Sequence, residues 1–222
     1  MNNQTQAELE WRDGTIPISR QFDDPYFSLD NGLAETRHVF IDGNDLPERF
    51  GGDFQIGELG FGTGLNFLTV WKVWEEAGAN GTLTFTTFEA FPMAIKDMEN
   101  ALLAFPEVAP WAAKMIEGLN RGDTNFGPVS LNIIVGDVRD TLPRSNLKAD
   151  AWFLDGFSPA KNPEMWGVDL MAEVGRHTAA NGTAATYTAA GHVRRALEDA
   201  GFVVTRTSGY GRKRHMTRAS KP

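Results

Sequence analysis

An α/β fold, with an open and mostly parallel sheet covered by helices on both faces, is what this 222-residue sequence predicts. Three observations carry that expectation. Apolar strand-like runs alternate with helical patterns from residue 52 onward. A glycine turn, Glu58-Leu59-Gly60-Phe61-Gly62-Thr63-Gly64-Leu65-Asn66, joins the first such strand to the first such helix. Four of the strands end in a carboxylate or glycine, at the edge of the sheet where open α/β folds hold their ligands.

The elements follow in order. Residues 54–59 read as a buried strand, and 65–74 as a helix with Leu65, Leu68 and Trp71 near one face. Residues 82–88 form the second strand, followed by Glu89, and helical patterns occupy 93–103 and 108–119. The third strand, 129–135, runs into Gly136-Asp137, and the fourth, 150–154, into Asp155-Gly156. A helix is expected over 163–177 with proline in its first turn. Residues 183–188 are the fifth strand, 192–200 a helix stopped by Gly201, and 202–207 the sixth strand. A short seventh strand is expected around 214–217. Residues 1–51 lack this alternation and are rich in turn formers (Asp23-Asp24-Pro25, Asn31-Gly32, Asp42-Gly43-Asn44), which predicts an N-terminal extension with hairpins, packed on the sheet of a domain spanning 52–222.

Composition narrows the chemistry. Without cysteine there are no thiol nucleophiles, disulfides or cysteine-based zinc sites, and four scattered histidines offer no ligand spacing, so no metal is expected. No apolar run approaches the ~20 residues of a membrane span, and the N-terminus is polar, so no membrane partner and a cytoplasmic location are expected. The net charge is −8, yet the stretch from residue 190 onward carries +6 against −14 for the remainder. Such a pole can hold a polyanion, or it can be a solvated basic tail.

The glycine turn frees backbone amides to meet a ligand, which makes Gly60, Gly62 and Gly64 candidate cofactor contacts, with Asn66 at the end of the same run. Leu65 stands where a dinucleotide fingerprint has its third glycine, and no lysine follows for a phosphate loop. Glu58 would repel a pyrophosphate and attract the ammonium of S-adenosylmethionine. Glu89 can accept from two ribose hydroxyls or be an exposed strand-end acid. Asp137 can accept from an adenine amino group or cap the turn beginning at Val138. Asp155, at the end of a buried strand beside the cofactor crevice, is a candidate cofactor contact and the candidate catalytic residue: methyl transfer to nitrogen needs an in-line approach and a neutral amine, and a carboxylate can orient that amine and take its proton. Phe157 and Trp166 are candidates to stack on a base, with core packing the alternative, and Lys161 is a candidate phosphate contact. Tyr210, Arg212, Lys213 and Arg214 would edge the substrate opening; as a strand, the three cations alternate faces.

The runs ELGFGTGLNFL (58–68), DAWFLDGFSPAKNPEMW (150–166), TAAGHVRRALEDAGF (188–202) and GYGRKRHM (209–216), with DDPYFSLDNGLAETRHVF (23–40) and GNDLPERF (43–50), resemble the methyltransferase domain of the bifunctional MnmC-type tRNA-modifying enzymes. The resemblance covers nearly the whole chain. It implies a class I Rossmann-like, S-adenosylmethionine-dependent methyltransferase with a seven-stranded sheet, acting at the anticodon of tRNA. The implied reaction converts 5-aminomethyl-2-thiouridine at the wobble position to its 5-methylaminomethyl form. By position it assigns cofactor contacts to Glu58, Gly60, Gly62, Gly64, Glu89 and Asp137, and places Asp155 beside the reacting amine. The family's bifunctional members carry an FAD oxidase domain that makes the aminomethyl group. The chain ends soon after Met216, so a stand-alone methyltransferase, or a fragment, without FAD is expected, served by separate oxidase or precursor-forming enzymes. The sequence departs from the family pattern at His215, where an acidic residue is usual, and at Ser158, where alanine is usual. Two other readings stay open at this level: a nicotinamide-dependent oxidoreductase on a similar sheet, and a non-catalytic tRNA-binding protein that kept the fold.

Overall fold

The computed structural model describes residues 6–28 and 31–222. Its centre is a seven-stranded sheet built from β4 (Phe54–Leu59), β5 (Leu83–Glu89), β6 (Val129–Val135), β7 (Ala149–Leu154), β8 (Thr178–Thr186), β9 (Val203–Ser208) and β10 (His215–Ser220), in the order β6-β5-β4-β7-β8-β10-β9. The first five of these are parallel, and β10 is antiparallel to both β8 and β9. The expected fold class is therefore the observed one. The central strands are largely buried because both faces are covered, although β4 also carries Gln55 and Glu58 and β5 three threonines. Ile56, Phe85 and Phe153 face one layer and Leu59, Trp152 and Leu154 the other, each wholly or almost wholly buried.

One layer contains α2 (Leu65–Glu76), α3 (Ile95–Leu102) and α4 (Ala109–Arg121), and the other α6 (Val168–Arg176) and α7 (Gly191–Asp199), with the single turn α5 (Val138–Thr141) after β6. α2 starts from Gly64 at φ +81, a left-handed conformation open to glycine and strained for other residues. α4 ends on Gly122, also left-handed. Within β4, Gly57 lies under the Trp152 ring; a Cβ there would stand 2.6 Å from its Cζ3. Glycine is needed at that position for close approach and not for its dihedrals.

The helix expected over 163–177 is divided. Pro163–Trp166 is a tight 3-10 turn, and α6 starts only after Gly167, whose ψ of 157° is extended. The fifth strand begins earlier than expected, at Thr178, because the pairing with β7 skips from Thr178 to Thr183 across an irregularity that contains the left-handed Asn181. An inserted, unpaired segment hides the strand's period from the sequence.

Before residue 52 the structure is only partly the hairpins expected. β1 (Leu9–Arg12), β2 (Ile16–Ser19) and β3 (Asp24–Pro25) form a small antiparallel sheet. The Asn31-Gly32 and Asp42-Gly43-Asn44 turn signals instead belong to helical structure: Asn31 caps α1 (Gly32–Thr36) by accepting from Ala34 N, and Arg37–Ile41 and Asp42–Asn44 continue as π and 3-10 turns. An N-cap and a turn use the same residue types, so composition alone did not separate them. This segment is fixed to the sheet by polar bonds. Asn44 Nδ2 donates to Trp152 O and Asn44 Oδ1 accepts from Thr183, while Arg49 donates to Asp150 O and Thr183 Oγ1.

Candidate active site

A cavity of about 920 Å³ opens at the carboxyl ends of β4, β5, β6 and β7. Its floor includes Gly60, Gly62, Glu89, Asp137 and Asp155, and its size suits a nucleoside-sized ligand together with part of a second substrate. The parallel strands bring these residues together because each ends at the same edge of the sheet. Gly60 and Gly62 have φ of +86° and +54°. A side chain at Gly62 would meet Tyr26 at 3.1 Å, so the turn and the N-terminal extension approach each other there with no space to spare.

Glu89 accepts from the backbone amides of Phe61 and Gly62 through Oε2 and from Phe91 through Oε1. It thereby fixes the turn, and burial pushes its carboxyl upward despite these bonds. Asp137 also serves its own helix: it accepts from Arg139 N at 2.9 Å and pairs with the Arg139 guanidinium at 2.6 Å, which holds its carboxyl below the usual range. It still lines the cavity.

Glu58 is placed differently from the sequence expectation. It is 0% exposed and lies beneath the cavity floor, outside the lining. Its Oε1 accepts from Asn66 Nδ2 at 2.9 Å, and Oε2 is buried without a hydrogen-bond partner. Burial raises its carboxyl well above the ordinary value, against the bond from Asn66. The direct attraction of a ligand's ammonium expected from sequence does not fit this geometry. Asn66 is the residue that reaches the cavity: the same Nδ2 donates to Asp155 Oδ2 at 2.8 Å, and its Oδ1 accepts from Thr36 Oγ1 at 2.9 Å. Gly64 also lies outside the lining and acts as the helix start.

Asp155 accepts from Asn66 through Oδ2 and from Gly156 N through Oδ1. Burial raises its carboxyl to about 6, a shift opposed by those two bonds and the Lys213 ammonium and increased by Glu35. A carboxylate that titrates near 6 can hold a proton or release it at neutral pH.

Among the other candidates, Phe157, Tyr210, Arg212 and Lys213 line the cavity. Phe157 stacks on Phe22, ring centroids 4.7 Å apart, and meets Tyr26 edge-on. Trp166 is in the core, with Nε1 donating to Phe157 O. Lys161 points away, bonded to Asp23 and 3.6 Å from Asp24, and Arg214 is exposed outside the lining. The sequence reading missed Glu35, Tyr26 and Tyr187. Tyr187 donates to Gly156 O at 2.8 Å, and Glu35 accepts from Lys213 Nζ at 2.7 Å. Apart from the wider match around 23–40, no local pattern marks them, because only the folded chain brings Tyr26, Glu35 and Tyr187 to the strand ends.

Among the described residues no cluster of His, Cys, Asp or Glu is disposed to hold a metal ion, and no helix is long and apolar enough to cross a membrane.

Known proteins share this architecture. The chain is 45% identical, over 97% of its length, to the tRNA 5-methylaminomethyl-2-thiouridine biosynthesis bifunctional protein MnmC of Pseudomonas aeruginosa, and 44% identical over 95% to that of Chromobacterium violaceum. It spans about a third of the length of these curated relatives: 35% and 34%. The crystal structure of MnmC2 from Aquifex aeolicus superposes with a TM-score of 0.75 at 27% identity, covering 100% of this chain and 73% of that one. TrmN from Thermus thermophilus shares the fold, with a TM-score of 0.50 at 14% identity over 82% of this chain and 47% of that one. Residues 103–222 match the model of a family described as S-adenosyl-L-methionine-dependent methyltransferase, and with that family's fold and a ligand-sized cavity at its strand ends, the chain belongs to the S-adenosyl-L-methionine-dependent methyltransferases.

Proposed function

We propose that this protein N-methylates 5-aminomethyl-2-thiouridine at the tRNA wobble position, forming 5-methylaminomethyl-2-thiouridine. The observation that carries the reading is Asp155, a carboxyl shifted to about 6 and held by Asn66 and Gly156 N at the floor of the cavity. The name of the MnmC relatives, similar to this chain over 97% of its length and 35% of theirs, supplies the amine and the tRNA.

The residues suit the cofactor. Gly60 and Gly62 present main chain without side chains at the cavity lining, Glu89 faces it with Oε1 to accept from ribose, and Asp137, whose oxygens are taken by Arg139 here, accepts from adenine when that exposed guanidinium moves aside. When bound, S-adenosylmethionine supplies an electrophilic methyl group on a sulfonium centre. Asp155, ionised above about pH 6, accepts a hydrogen bond from the substrate ammonium and then its proton, leaving a nitrogen lone pair for the new bond. Asn66 keeps the carboxylate in place through its bonds to Glu58 and Thr36. Phe157 and Tyr210 offer faces to the uracil, and Arg212 and Lys213 a cationic edge to the RNA backbone. We place the unit boundary near residue 51, with the preceding segment serving as the cavity's outer wall. A nicotinamide-dependent reductase has no support from the family to which the chain belongs.

The test is transfer of labelled methyl from S-adenosylmethionine to tRNA lacking only the final methyl group, read by nucleoside mass spectrometry. Label on the wobble 5-aminomethyl nitrogen is the expected product. Cofactor binding with no labelled nucleoside would overturn the assignment.

A further inference from the structure

Three groups on separate elements meet at the cavity mouth. Glu35, on α1, has a side chain only 12% exposed, and its Oε1 accepts from Lys213 Nζ at 2.7 Å. The same Nζ lies 4.1 Å from the centroid of the Tyr187 ring. Tyr187 is tied by its hydroxyl to Gly156 O at 2.8 Å, which keeps the ring beside the Asp155 loop. Glu35, Tyr187, Lys213 and Asp155 all line the one cavity.

Their freedom to move is unequal. Glu35 is a nearly buried carboxylate, costly to leave without a cation. Lys213 is 44% exposed, on a long flexible stem in the loop between β9 and β10, two residues after Gly211 at φ +56. The negative partner is fixed and the positive one can leave. The ring face adds attraction for whatever cation replaces it.

We propose that Glu35 and the face of Tyr187 form a receptor for a primary alkylammonium beside Asp155, and that the Lys213 side chain fills this receptor until the substrate displaces it. The inference rests on the methyltransferase reading above and specifies what the site accepts. A protonated aminomethyl substituent ends in the same CH2–NH3+ group as lysine, so contacts that hold Lys213 hold it equally well. The receptor delivers the ammonium next to Asp155, where it gives up its proton. Displaced, Lys213 moves to the rim, toward the phosphates that accompany the substrate. The arrangement also selects: a uridine with an uncharged 5-substituent gains nothing from Glu35, and a carboxylate on the substituent would be repelled by it.

The experiment compares two anticodon stem-loop RNAs, identical except for 5-aminomethyl-2-thiouridine or 5-methyl-2-thiouridine at the wobble position, by anisotropy in the presence of S-adenosylhomocysteine. The wild-type protein is expected to prefer the amine. Glu35→Gln should cut that preference by about tenfold or more while leaving the 5-methyl RNA's affinity unchanged, as expected for loss of one charge-assisted hydrogen bond. Lys213→Met should keep or increase the preference. No preference in the wild type, equal weakening of both RNAs by Glu35→Gln, or loss of the preference in Lys213→Met would each overturn the receptor. Wild-type methyl transfer to the aminomethyl RNA is scored in parallel. Its absence would refute the methylation reading, whereas transfer with an unaltered Glu35→Gln preference would refute the receptor alone.

Discussion

Asp155 has three kinds of neighbour. Asn66 and Gly156 N stabilise its charge, Lys213 adds to that, and burial together with Glu35 opposes it, leaving its carboxyl at about 6. Glu58 shares the Asn66 Nδ2 donor with it, and burial raises the Glu58 carboxyl well above the ordinary value. In the proposed role of base, Asp155 works only when ionised, so kcat should rise as pH increases through about 6 and level off above it. A rate profile under saturating substrates checks this; a limb centred below 5 would assign the proton transfer elsewhere. Asp155→Asn should lower kcat by about 10²–10⁴-fold, the usual worth of a positioned base, with cofactor affinity by calorimetry changing far less. Direct ligation of the cofactor by Asp155 would show as a comparable loss in that affinity.

At the level of elements, the site depends on how tightly β4 and β7 are joined. Gly57 and Trp152 are paired in register, and the indole covers the glycine so closely that an added methyl would stand 2.6–2.8 Å from three ring carbons. Trp152 is fully buried and stacks on Phe88, ring centroids 6.4 Å apart, so it cannot yield without moving the next strand. Gly57→Ala should destabilise the protein by about 1–3 kcal/mol, the cost of overpacking a filled core, measured by urea unfolding. A neutral result would mean that the sheet relaxes freely at the root of the glycine turn. The strands of this sheet were legible because buried parallel strands are written as short apolar runs between turn residues. The broken 163–177 segment was not legible, because Pro163 and Gly167 admit both a continuous helix start and an interruption.

For the whole molecule, charge is unevenly distributed along the chain. The final stretch carries +6 while the remainder is −14, and Arg214 projects from the β9–β10 loop outside the cavity. Arg218, by contrast, is committed to Asp45 at 2.5 Å. Arg214→Ala should therefore weaken tRNA binding evenly across sequences and reduce the slope of log affinity against log salt by about 1, as expected for one lost phosphate contact. An unchanged slope would place the RNA on another face. The N-terminal segment belongs to this scale too. It supplies Tyr26, Glu35 and Thr36 to the cavity, and its hold on the sheet runs through Asn44 and Arg49.

The sequence by itself determined the sheet, the glycine turn, and the carboxylates at the strand ends, since each depends on a local pattern: apolar runs, left-handed glycines, and residues that follow a strand directly. It also identified the family through long contiguous motifs. Only the tertiary structure decided which of those carboxylates meet the cavity. Glu58 and Asp155 both stand at strand ends, yet Glu58 lies under Asn66 and Asp155 above it, a difference set by packing in three dimensions. The meeting of Glu35 with Lys213, 178 residues apart, was likewise invisible until the chain closed on itself, because a contact between distant segments leaves no period or spacing in either one.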